Sequence, residues 1–417
     1  MMETKIQELA RQAKQSSYQL ATLSTEVKND VLNSLRKNLI NHSENLLVAN
    51  KKDLNYAKDQ DQSSAFIDRL TLNHDRIIAM ADALTTIIEL EDPNQRILES
   101  QTISNGLILE KTSTPLGVIA MIYESRPNVT IDAAALCFKS GNAVILKGGK
   151  EAIHSNRALH RVIVEALKEH SLSEVCVQFI DHTERAATHA LLQQVDFIDV
   201  VIPRGGKNLI KAITEQSQLP VIKHLDGICH IYIDQAADMD MAEQIIINAK
   251  CQRPGVCNAM ETLLIHQDIA KKVLPRFVEM LKEQGVRLKG CEQSCKIISN
   301  LEQASEEDWS TEYLDLILSI KIVKNTNAAI HHINYYGSGH SDSIVTEDKG
   351  CAEQFLQQVD SAAVYHNAST RFTDGEVFGK GAEIGISTDK LHARGPVGLK
   401  ELTSYKYLIR GTGQIRD

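Results

Sequence analysis

Cys257 is the residue from which chemistry can start. It stands in Asn248-Ala-Lys-Cys-Gln-Arg-Pro-Gly-Val-Cys-Asn-Ala-Met-Glu261, just past a Pro254-Gly255 turn. A thiol acts as a nucleophile only as the thiolate, so it needs positive potential around it. Arg253 supplies one such charge. The loop is also read as lying near a helix start, where backbone N–H dipoles favour an anion. The plainer reading is a small buried residue, since free cysteine is among the most buried residue types. The chain has eight cysteines, so the rest of the sequence must decide for this one.

Two further stretches could hold an anion. Lys147-Gly-Gly-Lys150 and Pro203-Arg-Gly-Gly-Lys207 each follow an apolar run and precede a helical one. Such turns bring backbone N–H groups and a lysine to phosphates. Neither matches a G-x-G-x-x-G or P-loop pattern, and each alone is compatible with an ordinary turn. Read as adjacent strand ends of one sheet, they point together to a nucleotide site.

The elements that must position these loops follow from periodicity. Residues 3–60 carry apolar side chains at helical spacing, including Leu20, Leu23, Val27, Val31, Leu32, Leu35 and Leu39. Two or three amphipathic helices are expected, with the lysines on a solvated face. Another helix runs from about Leu72 to Leu90 and stops at Asp92-Pro93. Asn105-Gly106 between two extended runs, 97–103 and 107–111, predicts a hairpin. From Leu116 onward strands and helices alternate, as in a doubly wound parallel sheet with ligands at the carboxyl ends of its strands. A short strand near 220–222 closes this part. A second α/β unit begins at strand 230–233, and helix 240–249 and strand 262–265 flank the Cys257 loop. Helices are expected over 269–284 and 328–334. The last stretch, 405–410, reads as a strand that can pair with the hairpin. His331-His332 falls on a helix and is read as structural.

Composition narrows the class. With 417 residues, two or three domains are expected. A net charge of −9 argues against a nucleic-acid or membrane surface as partner. No apolar run approaches the ~20 residues that span a bilayer. The polar start (Met1-Met-Glu-Thr-Lys) lacks a signal-peptide core, and scattered cysteines suit a reducing cytoplasm, which is the expected location. Cys291-x-x-x-Cys295 has half the spacing of a metal site and no second Cys/His pair to complete it, so no metal is expected.

Taken in order, Tyr123-Glu-Ser-Arg-Pro-Asn-Val-Thr130, Lys147-Gly-Gly-Lys150, Val201-Ile-Pro-Arg-Gly-Gly-Lys207, Gln252-Arg-Pro-Gly-Val-Cys257 and Leu391-His-Ala-Arg-Gly-Pro396 resemble the aldehyde dehydrogenase superfamily, and within it the gamma-glutamyl phosphate reductase family. The resemblance spans essentially the whole chain. It implies an NADPH-dependent reduction of L-glutamyl 5-phosphate to glutamate 5-semialdehyde and phosphate, through a Cys257 thioester, in proline biosynthesis. Asn128 and the Cys257 backbone N–H become oxyanion donors. Lys147 falls where the superfamily has the lysine that meets the adenosine ribose. Gly149 and Lys150 suit a 2′-phosphate, with Glu151 working against it. Arg204, Gly205 and Gly206 join the NADP-binding set, and Glu312 falls where a glutamate meets the nicotinamide ribose. Arg126, Arg253, His224 and Arg394 are the substrate-binding candidates. Superfamily members that make free acids carry a glutamate base a little over thirty residues before the cysteine. Here that position is His224, which can at most shuttle a proton.

The implied architecture is an aldehyde dehydrogenase-like α/β fold. Residues 1–100 and 115–225 form the NADP-binding domain and 226–395 the catalytic domain. Residues 101–114 and 396–417 form an oligomerisation hairpin and strand, as in a homodimer or homotetramer. Glutamate 5-kinase, which makes the acyl phosphate, is the implied partner. The competing enzyme is an NAD(P)-dependent semialdehyde dehydrogenase that hydrolyses its thioester, and it differs in needing no phosphate. A nucleotide-binding scaffold without chemistry would show no turnover at all.

Overall fold

The computed structural model describes residues 2–416. The chain forms two compact units. One takes the residues up to Lys223, Gly379–Gly385 and the stretch from Val397 on; the other takes His224–Phe378 and Ile386–Pro396.

The first unit opens with helices Met2–Leu20, Thr25–Asn41, Ser43–Asp59, Ser64–Leu70 and His74–Glu89. Ser24, Ser63 and Asn73 cap three of them by accepting N–H groups of the first turn. Leu20, Val31, Leu32, Leu35 and Leu39 are buried, as the periodicity requires. The lysines are not all on a wet face: Lys28 is fully buried and donates to the Asp92 carboxylate at 2.8 Å. The charge is tolerated inside because it is paired.

Strands β1 (Ile97–Thr102) and β2 (Ile108–Pro115) form the expected antiparallel hairpin. Gly106, with φ +85°, sits in the turn and donates its N–H to the Ile103 carbonyl. The C-terminal strand Thr403–Arg410 pairs antiparallel with β2, making a three-stranded sheet. A four-stranded parallel sheet follows: β3 (Val118–Tyr123), β4 (Ala143–Gly148), β5 (Val177–Phe179) and β6 (Val200–Arg204), in the order β5-β4-β3-β6. All six residues of β3 and of β4 are buried, which explains the apolar runs Val118–Tyr123 and Ala143–Leu146. The 220–222 stretch adds one parallel bridge, Val201 to Val221. The two Gly-rich loops are not on neighbouring strands. They follow β4 and β6, which flank β3 on either side. The strand order reverses at β3, and such a switch point is where open α/β sheets bind ligands.

The second unit is a seven-stranded sheet in which every pairing is parallel. Its strands are β7 (Cys229–Ile233), β8 (Met260–His266), β9 (Arg287–Gly290), β10 (Glu302–Gln303), β11 (Ile317–Val323), β12 (Ser341–Val345) and β13 (Ala363–His366). Their order is β10-β9-β11-β8-β7-β12-β13. Helices Met239–Cys251, Gln267–Glu283, Thr326–Tyr336 and Lys349–Gln358 connect them. Met239–Cys251 crosses from β7 to β8 and buries Ala242, Ile246 and Ala249 against Ile231, Leu263 and Ile265 of the core. His332 is wholly internal, packed on His230, Trp309 and Tyr336.

Candidate functional site

Cys257 lies in the turn between the end of helix Met239–Cys251 and the start of β8. This overturns the expectation of a nearby helix start. In a parallel sheet a helix-to-strand turn lies at the strand's amino end and faces the helix C-terminus, whose dipole disfavours an anion. The site is assembled at the amino edge of this sheet. Gly227 leads into β7, Cys257 into β8, Glu312 and Leu314 into β11, and His340 into β12. In the order β11-β8-β7-β12 these are four consecutive strands.

Backbone packing fixes the cysteine. A Cβ on Gly227 would stand 2.0 Å from the Cys257 carbonyl oxygen and 2.4 Å from its Cα, so only glycine fits. The Gly227 N–H donates to Glu312 Oε1 at 2.9 Å. Behind the turn, the S–H of buried Cys229 donates to the Cys257 carbonyl at 3.2 Å. Burial raises the Cys229 pKa well above that of an ordinary thiol and keeps it inert, whereas Cys257 is partly exposed.

Positive charge comes from a residue that motif reading passed over. Arg371, partly buried, donates through Nε to Gln252 Oε1 at 2.9 Å and also bonds the Asn258 side-chain oxygen. Burial lowers its pKa, the nearby Arg253 charge pushes the same way, and Cys257 pulls it back up. Arg371 thus sits within electrostatic reach of both residues. Asn258 ties its segment down by donating to the Thr373 carbonyl at 2.9 Å, and the Thr370 hydroxyl donates to the Asn258 carbonyl at 2.7 Å. The segment is Asn367-Ala-Ser-Thr-Arg-Phe-Thr-Asp374, a polar, loop-forming stretch.

The predicted site residues divide between the units. In the second unit lie Cys257, Arg253, Glu312, His224 and Arg394. Arg253 is exposed beside the turn. His224 Nδ1 is 3.0 Å from the Ile386 carbonyl oxygen. A carbonyl only accepts, so that nitrogen carries the proton and Nε2 is the basic nitrogen of the neutral ring. The ring meets His340 edge-on, with centroids 5.9 Å apart, and burial pushes His340 down to about 3. Arg394 is engaged by Asp360, through its carboxylate at 2.9 Å and its carbonyl at 2.7 Å.

In the first unit, Arg126 and Asn128 follow β3 and both are exposed. Asn128 opens helix Asn128–Lys139 and gives one amide N–H to Asp132 at 2.9 Å. Burial pushes Asp132 up to about 6, against the pull of Asn128 and Arg204. Lys147 is 6% exposed at the end of β4, and burial lowers its pKa. Gly149 leads into the turn carrying exposed Lys150 and Glu151, whose carboxylate accepts from the Ser125 hydroxyl at 3.1 Å. Arg204 ends β6, Gly205 packs against Glu124, and exposed Gly206 opens helix Lys207–Gln216. One buried lysine, two cationic loops and exposed turn amides after the strands flanking a switch point fit a ribose- and phosphate-bearing cofactor. Among the described residues no group of three His, Cys, Asp or Glu side chains is arranged to hold a metal ion. No helix there is long and apolar enough to cross a membrane.

A parallel-sheet unit with basic βα turns, joined in sequence to a second unit that presents a fixed thiol, defines a class. Residues 2–296 match the aldehyde dehydrogenase family. An acetylating aldehyde dehydrogenase from Geobacillus thermoglucosidasius shares the fold, with a TM-score of 0.69 at 17% identity over 100% of this chain and 98% of that one. The chain belongs to the aldehyde dehydrogenase family. Within it, the chain groups with the gamma-glutamyl phosphate reductases. The one from Nautilia profundicola is 52% identical over 412 residues, covering 99% of this chain and 100% of the relative. The crystal structure of the Thermotoga maritima one matches with a TM-score of 0.98 at 44% identity, covering 99% of this chain and 100% of that one.

Proposed function

We propose that the protein reduces L-glutamyl 5-phosphate to L-glutamate 5-semialdehyde and phosphate with NADPH, as a working gamma-glutamyl phosphate reductase of proline biosynthesis. The observation that carries this is the Cys257 turn, held by Gly227, Asn258 and Arg371 in a chain 52% identical to a reductase of that name.

The Cys257 thiolate, favoured by Arg371 and Arg253, attacks the acyl carbon. Phosphate leaves with the electrons of the C–O bond, and a thioester forms. A bound reduced nicotinamide supplies the hydride that the thioester carbonyl must receive. The Cys257–carbon bond then breaks, which returns the thiolate and releases the aldehyde. Negative charge on the carbonyl oxygen needs N–H donors, a role assigned to the Cys257 backbone N–H and, by the family resemblance, to the Asn128 side chain. No hydrolytic base is needed, and His224, with Nε2 basic, takes the role of a proton shuttle. Lys147, Gly149, Lys150, Arg204, Gly205 and Gly206 serve the NADP phosphates and adenosine ribose, and Glu312 the nicotinamide ribose. Arg126, Arg253 and Arg394 serve the substrate's anionic groups.

The unit boundaries support a cofactor-binding first unit and a thiol-bearing second one. The sheet of β1, β2 and 403–410 supports a homodimer or homotetramer. All six residues of β1 are exposed, as are Tyr405, Tyr407 and Ile409, which leaves apolar and aromatic side chains of this sheet uncovered. Glutamate 5-kinase, as the source of a labile acyl phosphate, is the fitting partner in the cytoplasm.

The reaction is tested in reverse with glutamate semialdehyde and NADP⁺, with and without phosphate, in wild type and Cys257→Ser. Phosphate-dependent cofactor reduction that vanishes in the variant is expected. Reduction that needs no phosphate would identify the thioester-hydrolysing dehydrogenase instead.

A further inference from the structure

Two charged side chains behind the cysteine take no part in this chemistry. Lys250, on the last turn of helix Met239–Cys251, and Glu261, in β8, are both fully buried, and Lys250 Nζ lies 2.6 Å from Glu261 Oε2. They bracket the turn in sequence, one before it and one after. The other carboxylate oxygen, Oε1, accepts the N–H of Leu314 at 3.3 Å. Leu314 is exposed and holds φ at +54°, a conformation that costs a β-carbon-bearing residue about 1 kcal/mol or more and persists only where the surroundings impose it.

We propose that the Lys250–Glu261 pair is a positioning device that locks the Cys257 turn and the Glu312 segment into one geometry. The contacts close a ring. Cys257 runs along the chain to Glu261, Glu261 holds Leu314, and Glu312 two residues earlier holds the Gly227 N–H. Gly227 in turn packs on the Cys257 backbone. Any movement of the Leu314 segment is therefore passed to Gly227 and to the cysteine. Stability alone is a poor reason to keep such a pair, because buried ion pairs are often replaced by apolar side chains at no cost. Burial pushes the Glu261 carboxyl up to about 7, while Lys250 and the Leu314 N–H pull it down and the Glu312 charge adds to the rise. The pair is thus an expensive arrangement that makes a specific connection. This inference rests on Cys257 being the nucleophile and Glu312 serving the dinucleotide.

The test compares wild type, Glu261→Gln and the double variant Lys250→Met/Glu261→Met. Each is followed by melting temperature, by kcat and KM of the phosphate-dependent reaction, and by the rate of iodoacetamide alkylation at the Cys257 peptide across pH. The double variant folds with near-wild-type stability, since two apolar chains of similar volume replace the pair. Its kcat falls about 100-fold, as a displacement near 1 Å produces. Its KM for the dinucleotide rises about 10-fold, its KM for semialdehyde stays within about 3-fold, and its alkylation profile shifts. A stable double variant with wild-type kcat, dinucleotide KM and alkylation profile overturns the proposal. Cys257→Ser, run alongside, reports on the nucleophile itself. If it kept turnover, the functional reading would fail while the alkylation profile still measured the positioning.

Discussion

Gly227→Ala isolates the contact that fixes the nucleophile. The added Cβ would stand 2.0, 2.4 and 2.5 Å from the oxygen, Cα and carbonyl carbon of Cys257. Carbon contacts are comfortable near about 3.5 Å, so something must move by roughly 1.5 Å (3.5 − 2.0). The obstacle is backbone, which cannot rotate aside as a side chain would. If the Gly227 segment retreats, its N–H leaves Glu312. If Cys257 retreats, the turn pulls away from Cys229 and from the clamp of Asn258 on segment 367–374. Overpacking of this kind costs about 1–3 kcal/mol in stability. A misplacement near 1 Å costs about 100-fold in kcat. The assay is reverse turnover with saturating phosphate, paired with a urea melt. Gly255→Ala is the internal control: it is in the same loop, and its nearest atom beyond the chain neighbours, the Leu314 carbonyl oxygen, is 3.6 Å from the new Cβ. It should keep kcat within about 3-fold, since that is ordinary contact. Wild-type kcat and midpoint in Gly227→Ala, or equal damage in Gly255→Ala, would refute the packing argument.

Three further outcomes follow from charge. Burial pushes His332 to about 2 and His340 to about 3, with His230 and Lys321 adding to the first and His224 to the second. In the unfolded chain both bind protons below about pH 6.5. Their contribution is present above that pH and is lost as pH falls toward 3, by up to about 1.4 kcal/mol per pH unit for each. Urea midpoints should fall steeply from pH 6 to pH 4, and His332→Phe should flatten the slope. An unchanged slope would mean His332 is not held neutral by the fold. Arg371→Met removes positive charge beside Cys257, so alkylation of that thiol at neutral pH should slow about 10-fold. Wild-type alkylation would assign the charge elsewhere. Glu151 faces Lys147 and accepts from Ser125. Glu151→Gln should lower KM for NADPH about 3-fold relative to NADH, because a like charge near a 2′-phosphate is removed. An unchanged KM ratio would place the 2′-phosphate away from Glu151.

What could be read from the sequence follows the range of the physics involved. The hairpin was legible because Asn105-Gly106 is a local turn signal, and the last stretch was legible as a strand over 405–410, two residues short of the observed start at Thr403. Strand β3 and the Ala143–Leu146 part of β4 were legible as apolar runs, and β8 from the 262–265 stretch inside it. The helix-start reading at Cys257 failed for a reason the sequence already contained. A helix before the cysteine and a parallel strand after it put the turn at the amino edge, where the helix dipole has the wrong sign. The thiolate then needs another source of positive charge. That source, Arg371, is separated from Asn258 by 113 positions and comes to it only through the tertiary fold. Lys250 and Glu261 left a fainter trace, a lysine and a glutamate inside otherwise apolar segments, each of which must find a partner or expel water at high cost. Contiguous motifs therefore reveal groups that touch substrate, because a turn of a few residues must present them together. The groups that hold such a turn still are drawn from distant segments and appear in sequence only as charges out of place.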